Sequence, residues 1–210
     1  MSNDTQIGYD RVAAPYAKQL FHELDYKPFD RHLLAMFAEL VKGKGAACDI
    51  GCGPGQIARY LHEHGVTMCG VDLSPAMIER ANRLTPGVEF QQGNMLALSV
   101  PDETWAGIAA FYSLIHIPRN DLPTALSELR RVLKPGGLLL ITFHIGDETL
   151  HLDEWWGHNV NVDFHLFRPG EITAFLSDAG FTIEEAIERD PYPEVEHQSR
   201  RCYIFARRPS

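Results

Sequence analysis

The residues of this chain best suited to chemistry are two acids, a run of glycines and several histidines. In ACDIGCGPGQIARYL, Ala47 to Leu61, Asp49 closes a short apolar run, and Gly51, Gly53 and Gly55 follow at alternate positions. Glycines this close together let the backbone take positive φ and let a ligand lie directly on the main chain. A dinucleotide fingerprint would read G-x-G-x-x-G and seat a pyrophosphate on the following helix. Here the spacing is G-x-G-x-G, and the acid ahead of it repels pyrophosphate but accepts hydrogen bonds from an ammonium group. The turn therefore suits a nucleoside with a cationic tail; the rival reading is a purely structural strand-to-helix turn. Asp72 lies about twenty residues beyond the turn, where an acid from the neighbouring strand reaches ribose hydroxyls. Cys52 inside the turn reads as a small residue filling a tight loop rather than a nucleophile.

These groups need a scaffold. The apolar spacing in IGYDRVAAPYAKQLFHEL predicts a helix from Ile7 to about Leu24, broken or restarted at Pro15. A second helix is expected from Phe29 to Val41, with Asp30 near its start and Gly43 and Gly45 beyond its end. Both precede the first strand, either covering the sheet or forming a lid that carries Tyr9 and Tyr16 to a site. After the glycine turn and its helix, Val66 to Ser74 reads as a second strand, with Ser74 as N-cap and Pro75 as first residue of the next helix. Strands follow at Val88 to Gln92 and Trp105 to Ser113, then a helix beginning at Asp121. Lys134 to Gly137 (KPGG) closes that helix and GLLLITFHI is the fifth strand. Strands alternating with helices imply a parallel, doubly wound sheet. Gly146 to Phe167 is polar and aromatic without a clean period, and reads as an inserted loop with at most one short strand. A helix from Pro169 and two further strands, FTIEEAIER and RRCYIFARR, complete the chain.

A length of 210 residues with 45% apolar composition bounds the chain to one well-buried domain with small additions. Residues 1–45 form the helical lid, 46–145 the core, 146–168 the insertion and 169–210 the last helix and strand pair. A net charge of -9 lacks the electrostatic footprint of a nucleic-acid or anionic-membrane binder. The N-terminal stretch is polar and interrupted, and no apolar run is long enough for a bilayer, so the protein is expected to be cytoplasmic. The four cysteines form no C-x-x-C pair and are expected to be reduced.

DIGCGPGQIA, VDLSPAMI, GNM, FYSLIHIP and LKPGG, in this order and spacing, strongly resemble the motifs of class I S-adenosylmethionine-dependent methyltransferases. The resemblance is close over about 46–143, looser in YDRVAAPYA and the last strands. It implies a Rossmann-like seven-stranded mixed sheet with the last strand antiparallel, and S-adenosyl-L-methionine lying across the strand ends, with S-adenosyl-L-homocysteine as product. Gly51, Gly53 and Gly55 would cradle the methionine portion and ribose, with Cys52 and Gln56 beside them. Asp49 would bind the ammonium, Asp72 the ribose hydroxyls, and Leu73 and Met77 would pack on adenine. Asn94 stands where many members have Asp; its side-chain oxygen still accepts a bond from the adenine amine, without charge, helped by the backbone of Met95. Asn94 as a turn cap only is the competing reading. Phe111, Tyr112 and Ser113 complete the expected contacts.

Methyl transfer from a sulfonium is an in-line displacement for which positioning supplies much of the acceleration. Aromatic faces favour the cation, and Tyr9, Tyr16, Phe111 and Tyr112 are the candidates. The resemblance places FYSLIHIP beside the methyl, so His116 is the first candidate for a base or substrate-orienting group, with His144 second; a structural role is the alternative for each. Trp155, Trp156, Phe164 and His165 would wall the acceptor pocket or form a dimer contact. His144, His151, His158 and His165 recur every seventh residue, but Gly146 and Gly157 argue against one helix carrying them, and no metal is expected. Arg200 and Arg201 read as a solvated strand end or as an anchor for an acidic acceptor. Lys27 and Asp30 lie at the entrance to the second helix. The expected function is methyl transfer to oxygen or nitrogen of a small molecule, by a monomer or homodimer without nucleic-acid or membrane partners. RNA or protein methylation, and a non-catalytic cofactor-binding module, are the rivals.

Overall fold

A computed structural model describes residues 3–210. In chain order the elements are α1 (Asn3–Leu20), α2 (Pro28–Val41), β1 (Ala47–Ile50), α3 (Gln56–Glu63), β2 (Met68–Asp72), α4 (Pro75–Leu84), β3 (Glu89–Gln92) and β4 (Trp105–Phe111). They continue with α5 (Leu122–Val132), β5 (Leu133–His144), β6 (Thr149–Trp155), β7 (His158–His165), α6 (Pro169–Asp178), β8 (Thr182–Arg189) and β9 (Arg201–Arg207). Seven strands form one sheet in the order β3-β2-β1-β4-β5-β9-β8. The pairings from β3 to β5 are parallel, and β9 runs antiparallel to both β5 and β8. No helix among the described residues is long and apolar enough to cross a membrane.

Burial explains the layering. All four residues of β1 are buried, as expected for a parallel strand covered on both faces. One face packs on α2 and α3 through Leu33, Leu34, Phe37, Val41, Ala58 and Leu61, the other on α5 and α6 through Leu126, Leu129, Ile172 and Leu176. Helix α2 lies so close that a Cβ at Gly107 would stand 2.7 Å from Val41 Cγ1. It is thus a sheet layer, and of the two N-terminal helices only α1 reaches over the strand ends.

Three local expectations are corrected. Helix α1 runs unbroken through Pro15 and starts earlier than the apolar spacing suggested. The carbonyl deprived of its donor by the proline is that of Arg11, on the exposed side of the helix, where water satisfies it. Lys134–Gly137 does not cap α5 but loops out inside β5, between the Trp105–Leu133 and Gly107–Leu138 pairs. There Gly136 N donates to Arg208 O (2.9 Å) and Arg208 N to Gly137 O (3.0 Å). The segment after His144 is a β-hairpin, β6 paired antiparallel with β7. Its tip, Trp156 and Gly157, has φ of 51° and 79°, the positive values of a type I′ turn. The alternation of Val160, Val162 and Phe164 was the signal.

The hairpin exists to hold α1. Val12, Val160 and Val162 form a small core between them, flanked by Tyr9, Leu152, Trp155 and Phe164. Arg11 Nη1 donates to Asn159 O (2.8 Å) and Asn161 Nδ2 to Asp4 Oδ2 (2.9 Å). At the other flank Asp10 Oδ1 accepts from Ser74 Oγ (2.5 Å) and Ala76 N (3.2 Å), tying α1 to the first turn of α4. A Cβ at Gly8 would lie 2.5 Å from Val162 Cγ2, a stiff β-branched neighbour that is fully buried. Gly8→Ala is therefore expected to loosen α1 despite a helix-propensity gain of about 1 kcal/mol, because overpacking costs ~1–3 kcal/mol. Faster hydrogen exchange across α1, with no rise in Tm, would be observed.

Candidate active site

A cavity of about 260 Å³ opens over the carboxyl ends of β2, β1, β4 and β5 and beneath α1. The chain proceeds from β1 to β2 on one side and places β4 on the other, so the cavity sits at the switch point where open α/β sheets bind ligands. The glycine turn forms its floor. Gly51 has φ 73°, and a Cβ there would stand 2.3 Å from Ser113 Cβ, so the turn lies flush against the end of β4. At Gly55, φ 89°, a Cβ would meet Phe90 Cζ at 2.8 Å, so α3 starts directly against β3.

The two acids are held by backbone amides. Asp49, 1% exposed, accepts a hydrogen bond from Ala58 N (3.1 Å) in the first turn of α3. Burial, with Asp72 adding to it, pushes its carboxyl up to about 8. Asp72 accepts from Gly53 N through Oδ2 and from Ser74 N through Oδ1, both at 2.8 Å. Burial raises its carboxyl to about 6 against the pull of those amides. Ser74 Oγ in turn accepts from Met77 N (3.1 Å), the expected N-cap. Two lining polar atoms, Gln56 Oε1 and Ser113 Oγ, are buried with no hydrogen-bond partner among the described residues. Buried polar atoms in a native fold are almost always bonded. Buried acids, orphaned acceptors and a glycine floor fit the ammonium, carboxylate and ribose hydroxyls of an adenosyl amino acid.

His116 lies at the centre of a chain of hydrogen bonds. Its Nδ1 is 2.9 Å from Asp163 O, a group that only accepts, so Nδ1 carries the proton. Nε2 is then the acceptor for the Tyr9 hydroxyl at 2.6 Å. Burial pushes the imidazole down to about 4 and the Tyr9 phenol well above its usual value, so both are neutral near pH 7. Tyr9, Tyr16, Trp155 and Phe164 stand edge to face around this chain, with centroids 5.5–5.9 Å apart. His144 hydrogen-bonds Ser199 Oγ (2.8 Å) and lies 4.9 Å from the Tyr112 ring. Burial, then the neighbouring Arg201, His197 and Lys27, push it down to about 3. Tyr112 takes φ 50° at the end of β4 and is fixed by Thr142, whose Oγ1 lies 2.9 Å from Tyr112 N. A non-glycine residue at positive φ beside a cavity marks strain kept at a site.

Of the expected contacts, Tyr9, Tyr16, Asp49, Gly51, Cys52, Gly53, Gln56, Asp72, Leu73, Met95, Phe111, Tyr112, Ser113, His116 and His144 line the cavity. Gly55, Met77 and Asn94 do not. Met77 is fully buried, and Asn94 Oδ1 accepts from Leu96 N (3.0 Å). Trp155 and Phe164 are wall residues, whereas Trp156 and His165 are not. Arg200 and Arg201 part company. Arg200 pairs outward with Glu188 (3.0 Å) and Asp190 (3.3 Å), while Arg201 is 2% exposed and faces the cavity. Neighbours on a strand point to opposite faces, a signal already present in RRCYIFARR. Lys27, noted at the entrance to the second helix, lines the cavity while Asp30 does not; Glu23, Glu196 and His197 also line it, and as loop and turn residues these three carried no sequence signal. Among the described residues no three His, Cys, Asp or Glu side chains assemble as a metal site. His151 instead pairs with Asp163 (2.7 Å) and Asp153 (3.1 Å) on the exposed hairpin face.

A family model described as a methyltransferase domain matches residues 47–137, the span holding both acids, the glycine turn and β4. Residues 47–137 thus form a methyltransferase domain of the class I S-adenosylmethionine-dependent type. It is 35% identical over 145 residues to a probable methyltransferase, ltbC, of Aspergillus luteorubrus, covering 59% of this chain and 50% of that one. It is 31% identical over 149 residues to the malonyl-[acyl-carrier protein] O-methyltransferase of Enterobacter lignolyticus, covering 69% and 55%. The chain thus spans about half the length of the curated relatives it matches. Among solved structures, DhpI in complex with SAH superposes with a TM-score of 0.76 at 20% identity, over 100% of this chain and 99% of that one. That likeness is one of methyltransferase fold.

The raised carboxyl of Asp49 has a defined effect on stability. Because the folded value lies above the unfolded one, its contribution is complete below about pH 4 and is lost as pH rises through about 8. An amide oxygen still accepts from Ala58 N without the buried charge. In ligand-free protein at pH 8–9, Asp49→Asn is expected to be more stable by at least ~1 kcal/mol, with no difference near pH 4, by denaturant titration.

Proposed function

We propose that this methyltransferase moves a methyl group from S-adenosyl-L-methionine to oxygen or nitrogen of a small-molecule acceptor, releasing S-adenosyl-L-homocysteine. The observation that carries this reading is the placing of Asp49 and Asp72 on the ends of adjacent strands, with the orphaned acceptors of Gln56 and Ser113 between them and β4. When bound, the cofactor supplies an electrophilic methyl on a sulfonium. Asp49 takes the ammonium in charge-assisted hydrogen bonds. Asp72 keeps lone pairs free beyond those used by Gly53 and Ser74 and takes the ribose hydroxyls. Tyr9, Tyr16 and Trp155 present aromatic rings to the cation.

Tyr9, rather than His116, is the group that meets the acceptor. The Tyr9 oxygen already donates to His116 Nε2 and retains lone pairs. It therefore accepts the acceptor's proton while passing its own to His116, whose Nδ1–H stays on Asp163 O. The low imidazole value makes His116 a weak base, suited to an acceptor that sheds its proton as the new bond forms. α1 and the hairpin exclude water from this chain. A cavity partly roofed by both elements and a net charge of -9 favour a small molecule over RNA or a protein side chain.

Calorimetric titration is expected to show binding of S-adenosylmethionine and S-adenosylhomocysteine but not NAD; the reverse pattern would overturn the assignment. Asp72→Ala should weaken S-adenosylhomocysteine by about 1–3 kcal/mol, and unchanged affinity would reject the ribose role. Labelled methyl transfer into metabolite extracts identifies the acceptor and, by turnover, excludes a purely binding protein. With that acceptor, Tyr9→Phe and His116→Gln should each lower kcat by about 10²-fold or more, with the double variant no worse than either single one. Because His116 is neutral down to about pH 4, the acid limb of the rate should fall there rather than near 6.5.

A further inference from the structure

The β5–β9 end of the cavity is walled by the loop between β8 and β9, residues 190–200, which neither cofactor binding nor the Tyr9–His116 chain uses. Val195, Glu196 and His197 of this loop line the cavity. One buried side chain fixes it. Glu196, its side chain 3% exposed, pairs with Arg189 (2.5 Å) at the end of β8, Arg201 (3.1 Å) at the start of β9 and Lys27 (3.6 Å) just ahead of α2. It also accepts from Tyr192 N (2.7 Å) in its own loop. Lys27 and Arg189 have second partners in Glu23 (2.5 Å) and Asp30 (3.0 Å), so the charges at this end are matched among themselves. Further ties complete the clamp. Phe29 N donates to Tyr192 Oη (3.0 Å), Gln198 Nε2 donates to Tyr192 O (3.2 Å) and Glu196 O (2.6 Å), and Ser199 Oγ meets His144 Nδ1 (2.8 Å) on β5.

Between these ties the chain makes a tight turn. Val195 N donates to Tyr192 O (3.4 Å), Pro193 stands at the second position and Glu194 takes φ 61° at the third. Those are the marks of a type II turn, whose third position favours glycine. A glutamate there is strained, and backbone strain collects where a site needs one conformation. The loop carries Val195 and His197 to the rim: both are exposed and both line the cavity. The His197 ring has no hydrogen-bond partner among the described residues and stands edge-on to His144, with 5.6 Å between centroids.

The cofactor does not reach this loop. Strands lie ~4.8 Å apart, and Arg201 on β9 is four strands from Asp72 on β2 in the order β2-β1-β4-β5-β9, or roughly 19 Å at that spacing. The tail from ribose to carboxylate of an adenosyl amino acid spans only ~8 Å at ordinary bond lengths. The geometry points to Val195 and His197 as the residues that select the acceptor, with Glu196 as the positioning residue that holds them. This deepens the methyl-transfer reading and rests on it. Binding groups sit disproportionately on loops held by a rigid scaffold. Here the loop offers an apolar contact from Val195 beside an imidazole free to hydrogen-bond a polar group of the acceptor.

The test measures transfer of labelled methyl into a metabolite extract at a series of extract concentrations, beside calorimetric titration with S-adenosylhomocysteine. Val195→Ala and His197→Ala are each expected to raise the half-saturating extract concentration about fivefold or more, or to change which compounds are labelled. The rate at saturation and the S-adenosylhomocysteine Kd should stay within about twofold, the split expected when only acceptor binding is lost. Glu196→Gln should raise half-saturation at least as far as either, because a loosened loop displaces both side chains, again without moving the cofactor Kd. Unchanged half-saturation and labelling in both rim variants, or a fall in saturated rate or cofactor affinity in step with half-saturation, would overturn the inference. Where Glu196→Gln does not fold, Val195→Ala and His197→Ala decide, since neither side chain is buried. A wild type that binds no S-adenosylhomocysteine refutes the cofactor reading. One that binds it and labels nothing in the extract refutes the small-molecule acceptor, and the inference falls with either.

Discussion

Two carboxylates on the ends of adjacent parallel strands, Asp49 buried and Asp72 half-buried, are the constraint around which the structure is arranged. Asp49 and Asp72 sit on β1 and β2, and desolvation makes each charge expensive. What holds them is a set of main-chain amides: Ala58 N for Asp49, and Gly53 N and Ser74 N for Asp72. Those amides point the right way only because the glycine turn folds back under α3 and because Ser74 caps α4. A ligand bearing an ammonium and vicinal hydroxyls relieves the remaining strain. The free protein is therefore held in a state that binding improves, which is the logic of a preorganised site.

The second dependence is that the reactive end is assembled from three separate elements. Tyr9 comes from α1, His116 from the segment after β4, and the Asp163 carbonyl from β7. No two of these are close in sequence, and α1 is kept over the cavity by a small valine core and a few polar ties. Release of α1 would separate the Tyr9 hydroxyl from His116, so the proposed proton path needs that helix in place.

Much of this was legible before any coordinates. The strand and helix order, the Ser74 cap, the acid positions and the use of the strand ends followed from periodicity and turn chemistry. Most of the cavity lining was implied by the family resemblance, and the residues on one glycine turn and at successive strand ends do converge, as they must wherever a parallel sheet is doubly wound. The misses share a cause. Pro15 looked like a break because local rules do not record that Arg11 has solvent to satisfy its carbonyl. The hairpin looked irregular because its alternation is short and its turn residue, Trp156, is an unusual occupant of positive φ. Lys134–Gly137 looked like a cap because a bulge inside a strand and a helix end use the same residues.

What the sequence determined by itself was the alternation of strands and helices, the glycine turn with its two acids, and a resemblance to one methyltransferase family, since these are carried by short motifs within about one strand-turn-helix unit. Only the tertiary structure decided which face Arg201 takes, that Glu196 is divided among three cations, and that the Tyr9 hydroxyl meets His116 at the cavity wall. Several of these outcomes depend on contacts between residues far apart in the chain, such as Lys27 with Glu196 and Tyr9 with His116. No local propensity encodes such contacts. They arise when β9 inserts between β5 and β8 and α1 is pressed onto the hairpin.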